Sequence, residues 1–328
     1  MSVLRPATGR YLEQILQDTH PLWHDGLSVE AYRRHWEAQR RTAWGAEHLD
    51  RVALVRGNPP DDAGEVLASA KRYDFSMRLD GRIRRVLGIG AVFTPPRHRG
   101  RGAARELMER ILEAAEAEGF EFALLFSEIG PAYYEQFDFV PVPRVASRIV
   151  VDGRGGGAPA MLVRAGEDRD IPAIAEMNAL RAKAARLALD RSEDLIRFAI
   201  ARRRLLAGLG PPGLRQVEFL VTEEGHQAVA YLVCTAEAGR WTIEEAGDRD
   251  PSGARLGAML QVMTAREPAL VPPDIVSWWP DALRPPQLRV EPTGPTPEVM
   301  MIRPLAGRAL PLPPLQASDV AYWHADAF

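Results

Sequence analysis

The sequence predicts an α/β (α+β) protein made of two similar units followed by an extended tail. Three observations lead there. The chain has 328 residues, the length of about two domains at roughly 150 residues each. A strand-then-helix pattern at its start, Val3-Leu4-Arg5-Pro6 followed by Leu12-Glu13-Gln14-Ile15, returns about 159 residues later as Leu162-Val163-Arg164-Ala165 followed by Ile171-Pro172-Ala173-Ile174, as an internal duplication would give. Thirteen of the 27 prolines fall between Pro268 and Pro314, so the last fifth of the chain is built differently from the rest.

The elements follow in order. Val3 to Arg5 reads as a strand entering a helix over Gly9 to Gln17 with Tyr11, Ile15 and Leu16 on its buried stripe,. Ser28 is placed to cap a second helix carrying Tyr32 and Trp36,. Arg51 to Arg56 and Gly64 to Tyr73 read as strands, and Asp80-Gly81 suits a two-residue hairpin turn before a returning strand over Val86 to Thr94,. The clearest helix carries Ala104, Leu107, Met108, Ile111, Leu112 and Ala115 at helical spacing, with Gly119 at its stop,. Phe122 to Phe126 reads as a buried strand, Pro131 to Gln136 as a short helix, and Phe139 to Val151 as a last strand broken by two prolines. Gly153 to Pro159 forms a natural junction,. Beyond it, Phe219 to Thr222, Val229 to Val233, Trp241 to Ala246 and the helical stretch Ala254 to Met263 repeat the order of the first unit.

Composition removes several classes of function. Hydrophobic content of 46% and charged content of 26% are ordinary for globular chains,. No window holds eighteen uninterrupted apolar residues, and the first ten residues lack a secretory layout, so a cytoplasmic protein is expected. Net charge of −3 gives no reason to expect nucleic acid,. The one cysteine, Cys234, lies in an apolar run and reads as an inert core thiol,. His20 and His24 are four apart but separated by Pro21 and have no obvious third ligand, so no metal site is expected; with Trp23 they are candidates for a substrate rim,.

The chemistry concentrates where charge does. Between Arg82 and Arg110 stand eight arginines against Glu106 and Glu109. Within that stretch the strand ending Val92-Phe93-Thr94 runs through Arg97, Arg99, Gly100, Arg101 and Gly102 into a helix opening at Ala103-Ala104. Paired glycines at a helix start leave amides pointing outward, and the helix dipole with the arginines attracts an anion such as phosphate. The pattern is neither a dinucleotide fingerprint, since the third glycine and the later acid are missing, nor a P-loop, since no Gly-Lys-Ser/Thr follows,.

Arg97-x-x-Gly100-x-Gly102-Ala103 resembles the signature of the GNAT superfamily N-acetyltransferases. The resemblance implies tandem GNAT folds, each a mixed, mostly antiparallel sheet flanked by helices, with 1–152 catalytic, 160–306 degenerate and 307–328 a proline-rich tail. It also implies acetyl-CoA as co-substrate, its pyrophosphate on the amides of the turn and its pantetheine along Val92, Phe93 and Thr94. Tyr133-Tyr134-Glu135-Gln136-Phe137-Asp138-Phe139 is similar to the family's later short helix. There Tyr134 matches the tyrosine that protonates the departing thiolate, while Asp138 stands where glycine is usual. Tyr133 is the expected core member of the pair. Glu128, directly after the preceding strand, is a candidate base or anchor for a cationic substrate. A narrower likeness, in Ser127-Glu128-Ile129-Gly130 with Tyr133-Tyr134 and in the segment near residues 22–32, is to the fungal lysine N6-acetyltransferase family.

At the matching place in the second unit stands Asp250-Pro251-Ser252-Gly253-Ala254-Arg255, which lacks the paired glycines and puts an acid beside any phosphate. That unit is not expected to bind CoA. The tail ends Tyr322-Trp323-His324-Ala325-Asp326-Ala327-Phe328, unusually aromatic for a frayed end,. By analogy with Eis-type acetyltransferases it is expected to dock in the acceptor cleft of the first unit, bringing the Phe328 carboxylate or Asp326 near the acceptor amine. The expectation is therefore an acetyl-CoA-dependent transfer to a primary amine, lysine-like or otherwise cationic, in a ternary complex. A non-catalytic acyl-CoA-binding sensor is the alternative; oligomeric state is not legible.

Overall fold

The computed structural model describes residues 2–57, 64–152, 161–266 and 273–328. The expected junction at Gly153 to Pro159 lies outside the described residues. In the first half the order is β1 (Ser2–Pro6), α1 (Gly9–Trp23), α2 (Val29–Arg41), α3 (Ala43–His48), β2 (Leu49–Arg56), β3 (Val66–Leu79), β4 (Arg82–Phe93), α4 (Ala103–Ala117), β5 (Phe122–Ser127), α5 (Ala132–Glu135), β6 (Val140–Pro141) and β7 (Val145–Val151). The second half runs β8 (Leu162–Ala165), α6 (Ile171–Ala184), β9 (Leu187–Leu189), α7 (Glu193–Leu209), β10 (Arg215–Glu224), β11 (Gln227–Glu237), β12 (Arg240–Asp248), α8 (Ala254–Arg266), β13 (Asp274–Ser277), β14 (Leu288–Pro295), β15 (Val299–Pro304) and β16 (Val320–Ala321).

Local chemistry explains most boundaries. The Ser28 hydroxyl accepts from the Ala31 amide at 3.2 Å and starts α2. Asp80 and Gly81 both take positive φ, 45° and 79°, the conformation a tight hairpin needs between β3 and β4,. Two expectations need correcting. α1 continues past Gln17 to Trp23 with Pro21 in its last turn, where few intrahelical bonds remain to be lost,. The segment 139–151 is not one strand: it divides into β6 and β7, which join different sheets, because Pro141 and Pro143 each lack an amide for a continuous ladder.

Two sheets result. One has the path β1-β2-β3-β4-β5-β15-β6, with β9 and β16 attached beside β3; the other has β14-β7-β13-β12-β11-β10-β8. The five strands β1-β2-β3-β4-β5 of the first correspond in order to β8-β10-β11-β12-β13 of the second. In each the last pair is parallel and the others antiparallel. Beyond that point the halves exchange strands: β15 lies between β5 and β6, and β7 lies between β13 and β14. α4 covers the first sheet with Leu107, Met108, Ile111 and Leu112, and α8 covers the second with Leu256, Met259, Leu260 and Met263. Cys234 is in the core beneath α8, and burial pushes its thiol pKa up, leaving it inert,.

Candidate active site

The parallel pairing of β4 with β5 stops at Ile89↔Leu125, although β4 continues to Phe93 and β5 to Ser127. Unpaired strand ends make a cleft. Opposite it, the register of β4 on β3 slips by one residue between Ser69↔Phe93 and Lys71↔Gly90, and Ala91 takes φ of 47°. Such a bulge leaves a backbone group outside the ladder.

β4 leads to the glycine turn. Gly100 and Gly102 take φ of 72° and 79°, and no atom lies within 4 Å of where a Cβ would stand on either. Gly102 caps α4 without any side-chain hydrogen bond, so the first amides of that helix have no capping partner from the chain,. Beside them the Thr94 hydroxyl is buried with no hydrogen-bond partner. An uncapped helix start, open space over two glycines and an orphaned hydroxyl suit the oxygen-rich pyrophosphate of a CoA. Among the arginines, Arg99 is braced by its Nε to the Thr94 carbonyl at 3.2 Å. Arg97 stands 3.8 Å from Asp18 and 3.7 Å from Glu65, which offset part of its field. Arg101 is exposed, Ala103 is buried under the sheet, and Ala104 is half-buried on the first turn of α4.

A cavity of about 550 Å³ opens from this edge into the space between the sheets. Tyr134, Glu128, Val92 and Phe328 all line it, whereas the turn residues 97–104 and Phe93 and Thr94 do not. Tyr134 is buried and its phenol is pushed up to about 12, mainly by loss of solvation, so it holds its proton through the physiological range,. The expected burial of the tyrosine pair is reversed, since Tyr133 is the more accessible of the two. Asp138 takes φ of 60°, the left-handed conformation that the usual glycine would supply,. Glu128 is exposed at the cavity mouth. Of the aromatic rim, Trp23 lines the cavity but His20 and His24 do not. His20 Nε2 lies 2.9 Å from the Leu27 carbonyl, and His24 Nδ1 accepts from the Gly26 amide. Among the described residues no group of three His, Cys, Asp or Glu side chains could hold a metal.

The tail crosses the second half and enters the cavity. Trp323 is fully buried, with Arg181 over its ring at 4.9 Å. His324 Nδ1 lies 2.8 Å from Glu244, and Arg202 donates to the Ala327 carbonyl at 2.7 Å. Asp326 is not directed at the acceptor space: it is buried, accepts from the Trp323 amide and lies 3.6 Å from Arg191, so it anchors the tail. Phe328 packs on Tyr73 and Phe75. Its carbonyl oxygen is 3.1 Å from where a Gly90 Cβ would be, and its ring is 2.8 Å from that point on Gly88. Gly88 and Gly90 are the cradle that sequence reasoning missed; Gly-Ile-Gly inside an apolar strand was the signal,.

The second half has the same strand-turn-helix with a different occupant. Asp248 accepts from the amides of Arg255 and Leu256 at 3.0 and 3.1 Å, at the first turn of α8, and from Asp250 at 2.8 Å. The chain's own carboxylate fills the place that is open at α4.

Residues 10–142 match the model of the acetyltransferase (GNAT) domain family. Residues 10–142 form a GNAT domain. The fold of the chain is that of tandem GNAT proteins. Solved structures similar to it include a probable N-acyltransferase from Enterococcus faecalis V583, with 12% identity, 93% of this chain and 72% of that one covered, and a TM-score of 0.67. A GCN5-related N-acetyltransferase from Kribbella flavida shares 18% identity over 93% and 71% of the two chains, with a TM-score of 0.63. A tandem GNAT protein from the clavulanic acid biosynthesis pathway shares 13% identity over 94% and 99%, with a TM-score of 0.52. No curated protein sequence matches the chain. The match supports acyl-CoA-dependent N-acyltransferase chemistry in the general sense for that domain, and among the described residues no helix is long and apolar enough to cross a membrane.

Proposed function

We propose that the first half transfers an acetyl group from acetyl-CoA directly to a primary amine, lysine-like or otherwise cationic, within a ternary complex. The observation that carries this reading is the uncapped start of α4 on the same strand edge as a cavity containing Tyr134, Glu128 and Phe328. Arg97, Arg99, Gly100, Arg101, Gly102, Ala103 and Ala104 would hold the pyrophosphate, and Val92, Phe93 and Thr94 the pantetheine. The co-substrate supplies a thioester carbonyl and a thiolate leaving group. Val92 and Phe93 amides at the bulge suit the role of donors to a developing oxyanion. Tyr134, protonated through neutral pH, would donate to the thiolate, whose thiol pKa is near 8.5,. An amine with a pKa near 10.4 must shed a proton first. The carboxylate at Phe328 or that of Glu128 takes it, directly or through water, and Asp25 and Glu298 on the cavity wall favour a cationic group. We place the reaction in the cytoplasm, a reducing compartment consistent with a single unpaired cysteine,.

Release of CoA thiol from acetyl-CoA with a panel of amines tests the reading. Amine-dependent release is expected, with Tyr134→Phe lowering kcat about 100-fold or more and leaving the KM for acetyl-CoA near wild type. Unchanged turnover in Tyr134→Phe would remove it as the acid, and no amine-dependent release would remove the reaction. Because the phenol is pushed up to about 12, deprotonation of Tyr134 should cause no alkaline loss of kcat below about pH 11,.

A further inference from the structure

One row across the first sheet is hard to explain as folding chemistry. Arg51 on β2 pairs directly with Lys71 on β3, and Lys71 pairs directly with Gly90 on β4. Directly opposed like charges destabilise a sheet; here Arg51 is buried and Lys71 is half-buried on the cavity wall. The Arg51 side chain is buried, and its polar neighbour is the Tyr32 hydroxyl rather than a carboxylate. Arg51 and Lys71 both stand over the Trp36 ring, at 5.0 and 5.7 Å. Arg202 of α7 adds a third cation that acts on Lys71 and spends its hydrogen bonds on tail carbonyls.

Among the described residues none of the three forms an ion pair. The groups that favour the charge of Arg51 are the Tyr32 and Tyr73 hydroxyls, not a carboxylate. Asp25 is the acid that favours Lys71, from beyond ion-pair distance. Glu244 and Asp326, the acids near Arg202, are engaged by Arg203 at 2.6 Å and by Arg191. Burial and these neighbouring cations push Lys71 down to about 7,. The end of the chain at Phe328 lies next in the row, over Gly90, without an ion pair to any of them. Uncompensated buried charge is costly, and here it faces a cavity that Lys71 and Arg202 line.

We propose that Lys71 and Arg202, with Arg51 behind them, form a carboxylate-binding subsite, so that the acceptor is an amine that also carries a carboxylate. The inference rests on the acyltransferase reading and narrows its acceptor to amino acids. The opposite pole is acidic. Glu128 follows β5 and Glu298 precedes β15, side by side across that pair, since Ser127 pairs with Val299. Both line the cavity. From β3 to β5 is two strand spacings, about 10 Å, with the bulge of β4 between. A short ω-amino acid can reach across it, its carboxylate on Lys71 and Arg202 and its amine toward the β4 edge and Glu128.

The test needs no turnover. 6-Aminohexanoate and its uncharged analogue 6-aminohexanamide are titrated into the full chain by calorimetry at pH 6.5, where Lys71 is mostly charged. The carboxylate should bind at least about tenfold more tightly. Lys71→Met, which keeps the stem and removes the charge, should bring the two affinities together, and Lys71→Arg should restore the preference. Equal binding, tighter binding of the amide, no binding of either, or an intact preference in Lys71→Met would overturn the subsite. Thiol release stays a separate readout: if carboxylate-free amines are acetylated as well as amino acids, the acyltransferase stands and the subsite falls.

Discussion

The starts of α4 and α8 occupy matching places in the two halves, yet they are finished differently. At α4 the cap is Gly102, with open space above it and no side chain on the first amides. At α8 the Asp248 carboxylate accepts two first-turn amides and a third from the turn before it, and Arg255 closes over Glu224. A helix start can serve a ligand or be satisfied by its own chain, but not both. One helix start is therefore left open and the other is closed by its own chain, and on the proposed reading only the open one takes an anion.

That contrast can be broken from either side. The largest effect is expected at α4: Gly102→Val puts a branched side chain at φ of 79° and over the amides,. The KM for acetyl-CoA should rise by tenfold or more in steady-state assays, while circular dichroism shows the sheets intact. Asp248→Ala acts on the other side. Losing a cap costs about 1–2 kcal/mol, so the midpoint of thermal unfolding should fall by a few degrees with the KM for acetyl-CoA unchanged; a rise in that KM would mean that α8 contributes to the site. Arg97→Ala should matter least, since Asp18 and Glu65 already offset it. A two- to fivefold rise in KM, shrinking at high salt, is the scale of an exposed charge at a helix end.

What could be read from the sequence was what is local. The turn at Gly100-Arg101-Gly102, the Asp80-Gly81 hairpin and the Ser28 cap each need only a few neighbouring residues, and each takes the expected conformation. The aromatic run at the chain's end pointed to a docked tail, and Trp323 is fully buried. What depends on pairing between distant strands was not legible. The segment of β7 reads as an ordinary strand of its own half and β15 does not read as a strand, and nothing in their composition tells which sheet will take them. The row Arg51, Lys71, Gly90 exists only through the register of three strands and a bulge. Asp326 looked like a reactive acid because its partner, Arg191, is distant in sequence and meets it only in the core.

The central claim is that a two-copy fold carries one CoA site, at α4. Calorimetric titration of CoA into the full chain, beside Gly102→Val, measures this directly. One CoA per chain, lost or weakened at least tenfold in Gly102→Val, is the predicted result; two per chain, or binding indifferent to Gly102→Val, would contradict it.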